Sequence, residues 1–384
     1  MKILIVASWF PTPAAPVSGI FVAEQARALS TRHEVTVLAL ETTVGNSSPT
    51  RRVESSGSYN VIRAEIPAGK HMHALRCAWA VAREIRSGGY DLAHAHVTLP
   101  GGFAAVLAGM FTGRPAIITE HMNPFSNFMR TAGDRMKVRF ALMRAAAVIP
   151  TNHGLEAIWR DYGFRRPMQI VRNNVNTEVF AFSPKRPRTD DLNRLIFVGR
   201  LNDDQKNLTA LLKALVLLSK RDRGCYRLKI IGGGGLQAGY EHLAQDLGVL
   251  HLCEFVGEQC KSYIADALAA SDLFVLPSFR ENCPCVVGEA QAVGRPVVVT
   301  SCGGSEELVT PQTGLVVPVD DHAALADAIQ HICHNLDSYR PEEISAYAQS
   351  RFGDDTLVDH LTKIYESVVP ASAIERPTIS VKVA

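Results

Sequence analysis

The chain has no apolar run that reaches the ~18 residues a membrane-crossing helix needs. It has no aspartate-rich D-x-D element, and no metal is expected. Eight cysteines are present but none stands at metal-ligand spacing. Cys283 and Cys285 form only a C-x-C and the other six are scattered, as in proteins with reduced, mostly buried thiols. A true G-x-G-x-x-G is also missing. In the run Gly232-Gly233-Gly234-Gly235 the third glycine of that pattern would fall at Gln237, which counts against a nicotinamide-dependent oxidoreductase. Residues 1–7 read as a strand and carry no signal-peptide cleavage pattern, so a cytoplasmic protein is expected. No low-complexity segment occurs, and no repeat beyond two similar halves.

What is present is a soluble globular composition: 384 residues, 47% apolar and 20% charged. That length suits two domains, each with its own core. The net charge of +2 conceals an asymmetry. Residues 1–180 hold 20 Lys and Arg against 12 acids, and the remainder holds 20 against 26. A basic first half suits an anionic partner or peripheral contact with an anionic membrane, and equally an uneven surface without purpose; no nucleic-acid partner is expected. One helix concentrates the bases, with Arg130, Arg135, Lys137, Arg139 and Arg144 around Met136, Phe140 and Met143. It reads as a surface for anionic lipid or a lipid-diphosphate acceptor, or as a plain solvated basic face.

Strand and helix patterns alternate throughout, which predicts an α/β protein with parallel sheets covered on both faces. In the first half, strands are expected at 2–8, 34–40, 60–65, 91–94, 116–119, 147–150 and 168–171. A proline-stiffened loop spans 9–19 and a flexible polar stretch spans 42–58. Residues 182–191, rich in proline and charge, are the expected linker. A second set of strands follows at 195–198, 227–231, 254–256, 273–276 and 297–300. The expected domains are 1–181 and 182–369, with the last helix crossing back to the first and 370–384 a loose tail.

The most informative stretch is 278–307, S-F-R-E-N-C-P-C-V-V-G-E-A-Q-A-V-G-R-P-V-V-V-T-S-C-G-G-S-E-E. Glu281 and Glu289 stand eight positions apart, and a helix opening near Pro284 would aim its free amides and positive dipole end between them. Read singly, Glu289 is a first-turn helix acid and Glu281 a solvated loop acid. Together they flank a helix N-terminus at strand C-terminal ends, where open parallel sheets bind ligands. Earlier, Phe197-Val198-Gly199-Arg200-Leu201 leaves a strand and Lys206-Asn207-Leu208 opens the next helix. Two cations beside free backbone amides suit a diphosphate.

These features resemble the E-x7-E motif and the V-G-R-L/Q-K-N diphosphate signature of retaining nucleotide-sugar glycosyltransferases, in particular glycosyltransferase family 4. The resemblance spans nearly the whole chain, most strongly from Leu195 onward. It implies the GT-B fold, two doubly wound Rossmann-like domains facing across a cleft. It also implies transfer of a hexose from a UDP-, GDP- or ADP-sugar donor to a sugar or lipid-linked acceptor in cell-surface polysaccharide or glycolipid biosynthesis. By it, Arg200 and Lys206 neutralise the leaving diphosphate in place of a metal, and Glu289 holds the ribose. Glu281 faces the donor sugar, and the amides of Asn282, Cys283, Pro284, Cys285 and Val286 lie along the sugar and phosphate (Pro284 contributing no N–H). Val256 and Gly257 offer backbone to the base edge. The glycine and aromatic usual between the family's acids are here Asn282 and Cys283, which bears on sugar identity. In the first half, Gly19 would let amides approach a phosphate, and Thr119-Glu120-His121 is similar to the family's T-x-H motif, whose histidine contacts the donor sugar. His94 and His96 read as structural, His96 being also open to an acceptor role. Three other readings remain: a GT-B nucleotide-sugar epimerase, the oxidoreductase, and a non-catalytic sugar-nucleotide binding protein.

Overall fold

The structure is a computed structural model that describes residues 1–43, 50–69, 72–122, 124–184, 190–202 and 204–370. The chain divides into two compact units, Met1–Val171 joined by the chain from Leu357 on, and Arg172–Thr356.

The first unit is built on β1 (Lys2–Ala7), β2 (Glu34–Thr43), β3 (Thr50–Ser56), β4 (Tyr59–Pro67), β5 (Leu92–His96), β6 (Ala116–Thr119) and β7 (Ala147–Ile149), in the order β3-β4-β2-β1-β5-β6-β7. The central strands are continuous apolar runs because helices cover both faces, and Ile3, Leu4, Ile5 and Val6 are fully buried. On one face lie helices His73–Gly88, Phe103–Thr112 and Ala132–Arg144. On the other lie helix Ile20–Leu29 and the last helix, Asp354–Val368, whose Leu357, Val358, Leu361, Ile364 and Tyr365 pack with Ile3, Ile5, Val22 and Leu29.

The second unit carries β8 (Asn193–Val198), β9 (Tyr226–Ile231), β10 (Cys253–Gly257), β11 (Leu273–Leu276), β12 (Val297–Thr300) and β13 (Gly314–Val317), all parallel, in the order β10-β9-β8-β11-β12-β13. Numbered from its own first strand this is 3-2-1-4-5-6, the doubly wound nucleotide-binding order. Omitting β3, the first sheet has the same order. Each sheet therefore reverses direction at one point, between β1 and β5 and between β8 and β11.

Three expectations need correction, and one strand was missed. The polar stretch 42–58 is not all loop: β2 runs on to Thr43 and Thr50–Ser56 forms an antiparallel edge strand, while 44–49 lie outside the described residues. Cross-strand pairs hold that edge, Thr50 Oγ1 donating to Glu65 at 2.6 Å and Arg63 to Glu54 at 2.9 Å. Residues 168–171 form no strand, since the three-residue β7 beside them leaves only Val171 N–H donating to Pro150 O, at 3.1 Å. The strand Gly314–Val317 was not anticipated. The units divide after Val171 rather than at 181/182, because Val175 and Phe180 are buried in the second core and Val175 N–H donates to Phe352 O at 2.7 Å. Of the expected linker, 185–189 lie outside the described residues, as does the expected tail from 371 on.

Candidate active site

The second unit's switch point, between β8 and β11, is where both sequence signatures come to lie. After β8 the backbone passes Gly199 and exposed Arg200, then a 3-10 turn, Asp204–Lys206, that presents Lys206. Asn207 adopts a left-handed conformation (φ 48°) and its Oδ1 accepts from Ala210 N–H at 3.2 Å, capping helix Leu208–Arg221. After β11 come Ser278 and Glu281. Lys206 Nζ contacts Glu281 Oε1 at 2.5 Å, and Ser278 Oγ donates to the same oxygen at 2.7 Å. The two loops are also tied through Gln205, whose carbonyl accepts from Phe279 N–H at 2.8 Å and whose Nε2 donates to Arg280 O at 2.9 Å. Residues 75 positions apart thus form one rigid corner.

Glu281 is not a solvated loop acid: it is 6% exposed. Burial of a carboxylate is tolerable here because lysine and serine both serve it. Glu289 lies in the second turn of helix Cys285–Ala292, not its first, and is half-buried. Pro284, extended at φ −67°, precedes that helix and gives it no side-chain cap. Cys283 is turned inward, its Sγ accepting from Asn173 N–H at 3.4 Å and its carbonyl from Asn173 Nδ2 at 2.9 Å; burial pushes the thiol up to about 11. Cys285 and Val286 are half-buried.

Glycines let the neighbouring loops close over this corner. A Cβ on Gly232 (φ 140°) would stand 1.9 Å from Gly199 O, and one on Gly234 (φ 150°) 2.4 Å from Leu201 C. The glycine run therefore backs the loop that carries Arg200. A Cβ on Gly304 would stand 1.8 Å from Asn282 O, so the turn after β12 is pressed onto the turn holding Glu281. Glu306 fixes that second turn, its carboxylate accepting from the amides of Cys302, Gly303 and Gly304 at 3.0–3.2 Å. At the end of β10 the ladder to β9 slips at Val256, leaving its backbone out of register beside Gly257 (φ 78°).

In the first unit, Gly19 begins helix Ile20–Leu29 in the left-handed region (φ 64°), and a Cβ there would stand 2.2 Å from Trp9 O. Only glycine fits. Phe21, in the same turn, stacks on His121 at 4.1 Å between ring centres. His121 is hydrogen-bonded to His96 (Nε2 to Nδ1, 3.0 Å), while His94 bridges Tyr365 Oη and Thr119 Oγ1, both at 2.7 Å. Burial holds His94 and His121 down at about 3 and His96 well below its ordinary value. All three are neutral imidazoles near neutral pH, able to share hydrogen bonds but not to carry charge. Beside them Glu120, fully buried, accepts from the amides of Thr98, His121 and Met122 at 2.7–2.9 Å.

Sequence reasoning overlooked Ser278, Gln205 and Glu306. A serine at the end of an apolar strand is the only sequence signal for the first; the others act through backbone contacts that no spacing reveals. Among the described residues no group of three or more His, Cys, Asp or Glu side chains is arranged to hold a metal ion. No described helix is long and apolar enough to cross a membrane.

Two doubly wound α/β units, with a cation–carboxylate corner at the switch point of the second, define a Rossmann-like ligand-binding architecture. Residues 193–335 match the family described as "Glycosyl transferases group 1" and residues 18–174 match "Glycosyl transferase 4-like domain". The chain belongs to the group 1, family 4 type of GT-B glycosyltransferases, and it is an enzyme. It is 26% identical to the putative teichuronic acid biosynthesis glycosyltransferase TuaC of Bacillus subtilis, over 97% of this chain and 100% of that one. It is 28% identical to D-inositol 3-phosphate glycosyltransferase of Streptomyces avermitilis, over 84% of this chain and 74% of that one. Its fold is shared with sucrose-phosphate synthase from Thermosynechococcus elongatus (TM-score 0.76, 22% identity, 96% and 99% of the two chains). It is shared too with Anabaena HepE, solved with UDP-glucose (TM-score 0.68, 18% identity, 96% and 100%).

Proposed function

We propose that this enzyme takes a hexose from a nucleotide diphosphate sugar, with UDP the favoured carrier, and transfers it with retention to a hydroxyl of a cell-envelope saccharide or glycolipid acceptor. The observation that carries this reading is the Lys206–Glu281–Ser278 corner, where a cation and a carboxylate meet just before the start of helix Cys285–Ala292 at a parallel sheet's switch point. A diphosphate entering there meets Lys206, Arg200 and the amides of helix Cys285–Ala292, so the leaving group's charge is stabilised by fixed donors rather than by a metal ion. As Lys206 turns to phosphate, Glu281 is released to accept from a sugar hydroxyl and to stabilise positive charge growing at the anomeric carbon. Ser278 keeps the carboxylate oriented. Glu289 takes the ribose hydroxyls, and the slipped backbone at Val256 and Gly257 meets the base edge. UDP is favoured because a protein of the same fold, HepE, has been solved with UDP and with UDP-glucose.

In retention without an enzyme nucleophile, the leaving phosphate oxygen takes the acceptor's proton as the new glycosidic bond forms on the face it vacates. An acceptor pocket is available in the first unit: a cavity of about 870 Å³ beyond the C-terminal ends of β2, β4 and β5, with Leu99, Pro100 and Phe103 as its apolar wall and Asn127, Thr131 and Lys137 as polar groups. The relatedness to TuaC supports an envelope polysaccharide as the product. The test is donor turnover with UDP-glucose and UDP-galactose, the product anomer read by NMR. An α-linked product from an α-linked donor supports the proposal; inversion overturns the retaining step.

A further inference from the structure

The first sheet ends on β3, and that edge is bare. All seven residues of Thr50–Ser56 are exposed, and among the described residues the strand pairs with β4 alone. An antiparallel strand turns the N–H and C=O of alternate residues away from its neighbour, so β3 holds a row of backbone donors and acceptors toward solvent. Edge strands are normally blunted by proline, lysine, a bulge or a covering element. Among the described residues β3 has none of these. Its sequence is T-R-R-V-E-S-S, and it runs in unbroken register along β4, from Thr50 opposite Glu65 to Ser56 opposite Tyr59. It is also held firmly. Arg51 Nε and Nη2 donate to the two carboxylate oxygens of buried Glu84 at 2.9 and 3.1 Å, fixing the strand to helix His73–Gly88.

The order of side chains along the strand says what it can pair with. When two copies of one strand pair antiparallel about a two-fold axis, each residue i faces j of the second copy and j faces i. Only an axis at Val53 overlaps the full strand. Val53 then meets Val53 of the second copy, Arg51 meets Ser55, and Arg52 meets Glu54 on both sides of the axis. Moving the axis by one residue sets Arg52 against Arg52 or Glu54 against Glu54, so the charges favour one register over its neighbours. Val53, at the midpoint, is 57% exposed. Arg52 and Glu54 already touch Glu65 and Arg63 of β4, but their side chains stay 63% and 48% exposed. A guanidinium and a carboxylate each have room for a second partner. Pairing of two copies extends these contacts into a ladder of alternating charge, Glu65, Arg52, then Glu54 and Arg63 of the second copy.

We propose that β3 is a self-association edge, through which two copies of this chain join antiparallel, centred on Val53, into one continuous sheet. The parallel strands of the two copies then run in opposite directions, so their C-terminal ends, where ligands bind, open away from each other. This association is independent of the sugar-transfer reading.

Sedimentation equilibrium of the full chain, up to about 100 µM, measures the association in the range suited to a small interface. A monomer–dimer equilibrium is expected. Arg52→Glu alone sets acid against acid at both facing pairs, and Glu54→Arg alone sets base against base. Each is expected to weaken the dimer at least about tenfold. An equimolar mixture of the two variants again places an acid opposite a base at both pairs, and is expected to recover association as a heterodimer. Both side chains are exposed, so thermal unfolding of each variant should stay close to that of the wild type, which separates loss of pairing from loss of fold. A wild type that stays monomeric at that concentration, a dimer that neither variant weakens, or a mixture that associates no better than the variants alone would overturn the proposal.

Discussion

A lysine and a glutamate held in contact with most of both side chains out of water return little net stability, since desolvation offsets most of their attraction. Such a pair makes sense where a ligand is to displace one partner. Glu281→Gln keeps the shape and the Ser278 contact but removes the charge, and kcat is expected to fall about 10²-fold or more while UDP affinity stays within a few-fold. Glu289→Ala should instead weaken donor binding itself, raising the UDP dissociation constant measured by calorimetry. Lys206→Ala leaves the Glu281 carboxylate buried and unpaired, and melting should reveal a loss of roughly 1–3 kcal/mol. The same scale governs acid sensitivity. His94 is fully buried with its value held at about 3 by desolvation, so the unfolded chain binds its proton first as pH falls. Stability is complete above pH ~6.5 and declines below it, by roughly 2 kcal/mol at pH 5 for this residue alone. Urea unfolding at pH 7.5 and pH 5 measures that slope, and stability that rose toward pH 5 would contradict the assignment.

At the scale of elements, the site depends on turns pressed against one another. Gly304→Ala would drive a methyl group into the Asn282 carbonyl, and the turn holding Glu281 must then shift. Turnover is expected to fall at least about tenfold, with a stability loss of roughly 1–3 kcal/mol in a melting experiment. The central strands were readable in the sequence because parallel strands covered on both faces are plain apolar runs, such as Leu273–Leu276 and Val297–Thr300. Strand Thr50–Ser56 was not, because its stability lies in cross-strand charge pairs with β4 and its residues are all exposed. In the candidate site, Lys206 and Glu281 were singled out in the sequence and stand in contact, while the roles given to Arg200 and Glu289 rest on the family resemblance. Ser278 and Gln205 were not legible, because their roles come from contacts between loops far apart in sequence. The burial of Glu281 was also hidden, since nothing local distinguishes it from a solvated acid.

For the whole molecule, the chain makes two sheets of the same doubly wound order and then returns to the first. The last helix, Asp354–Val368, is part of the first unit's core, with Leu361 and Tyr365 fully buried and Tyr365 Oη bonded to His94. Leu361→Ala is therefore expected to cost roughly 2–4 kcal/mol in urea unfolding, a loss that belongs to the unit whose upstream part ends at Val171. The central claim concerns the second unit: that its switch point binds a nucleoside diphosphate through Lys206 and Arg200. Calorimetry of the full chain against UDP, GDP and ADP, with and without EDTA, tests it most directly, alongside Lys206→Ala and Arg200→Ala. The account predicts binding of UDP that EDTA leaves unchanged and that either substitution weakens about tenfold or more. UDP binding that both variants retain in full, or binding of none of the three nucleotides by the wild type, would contradict it.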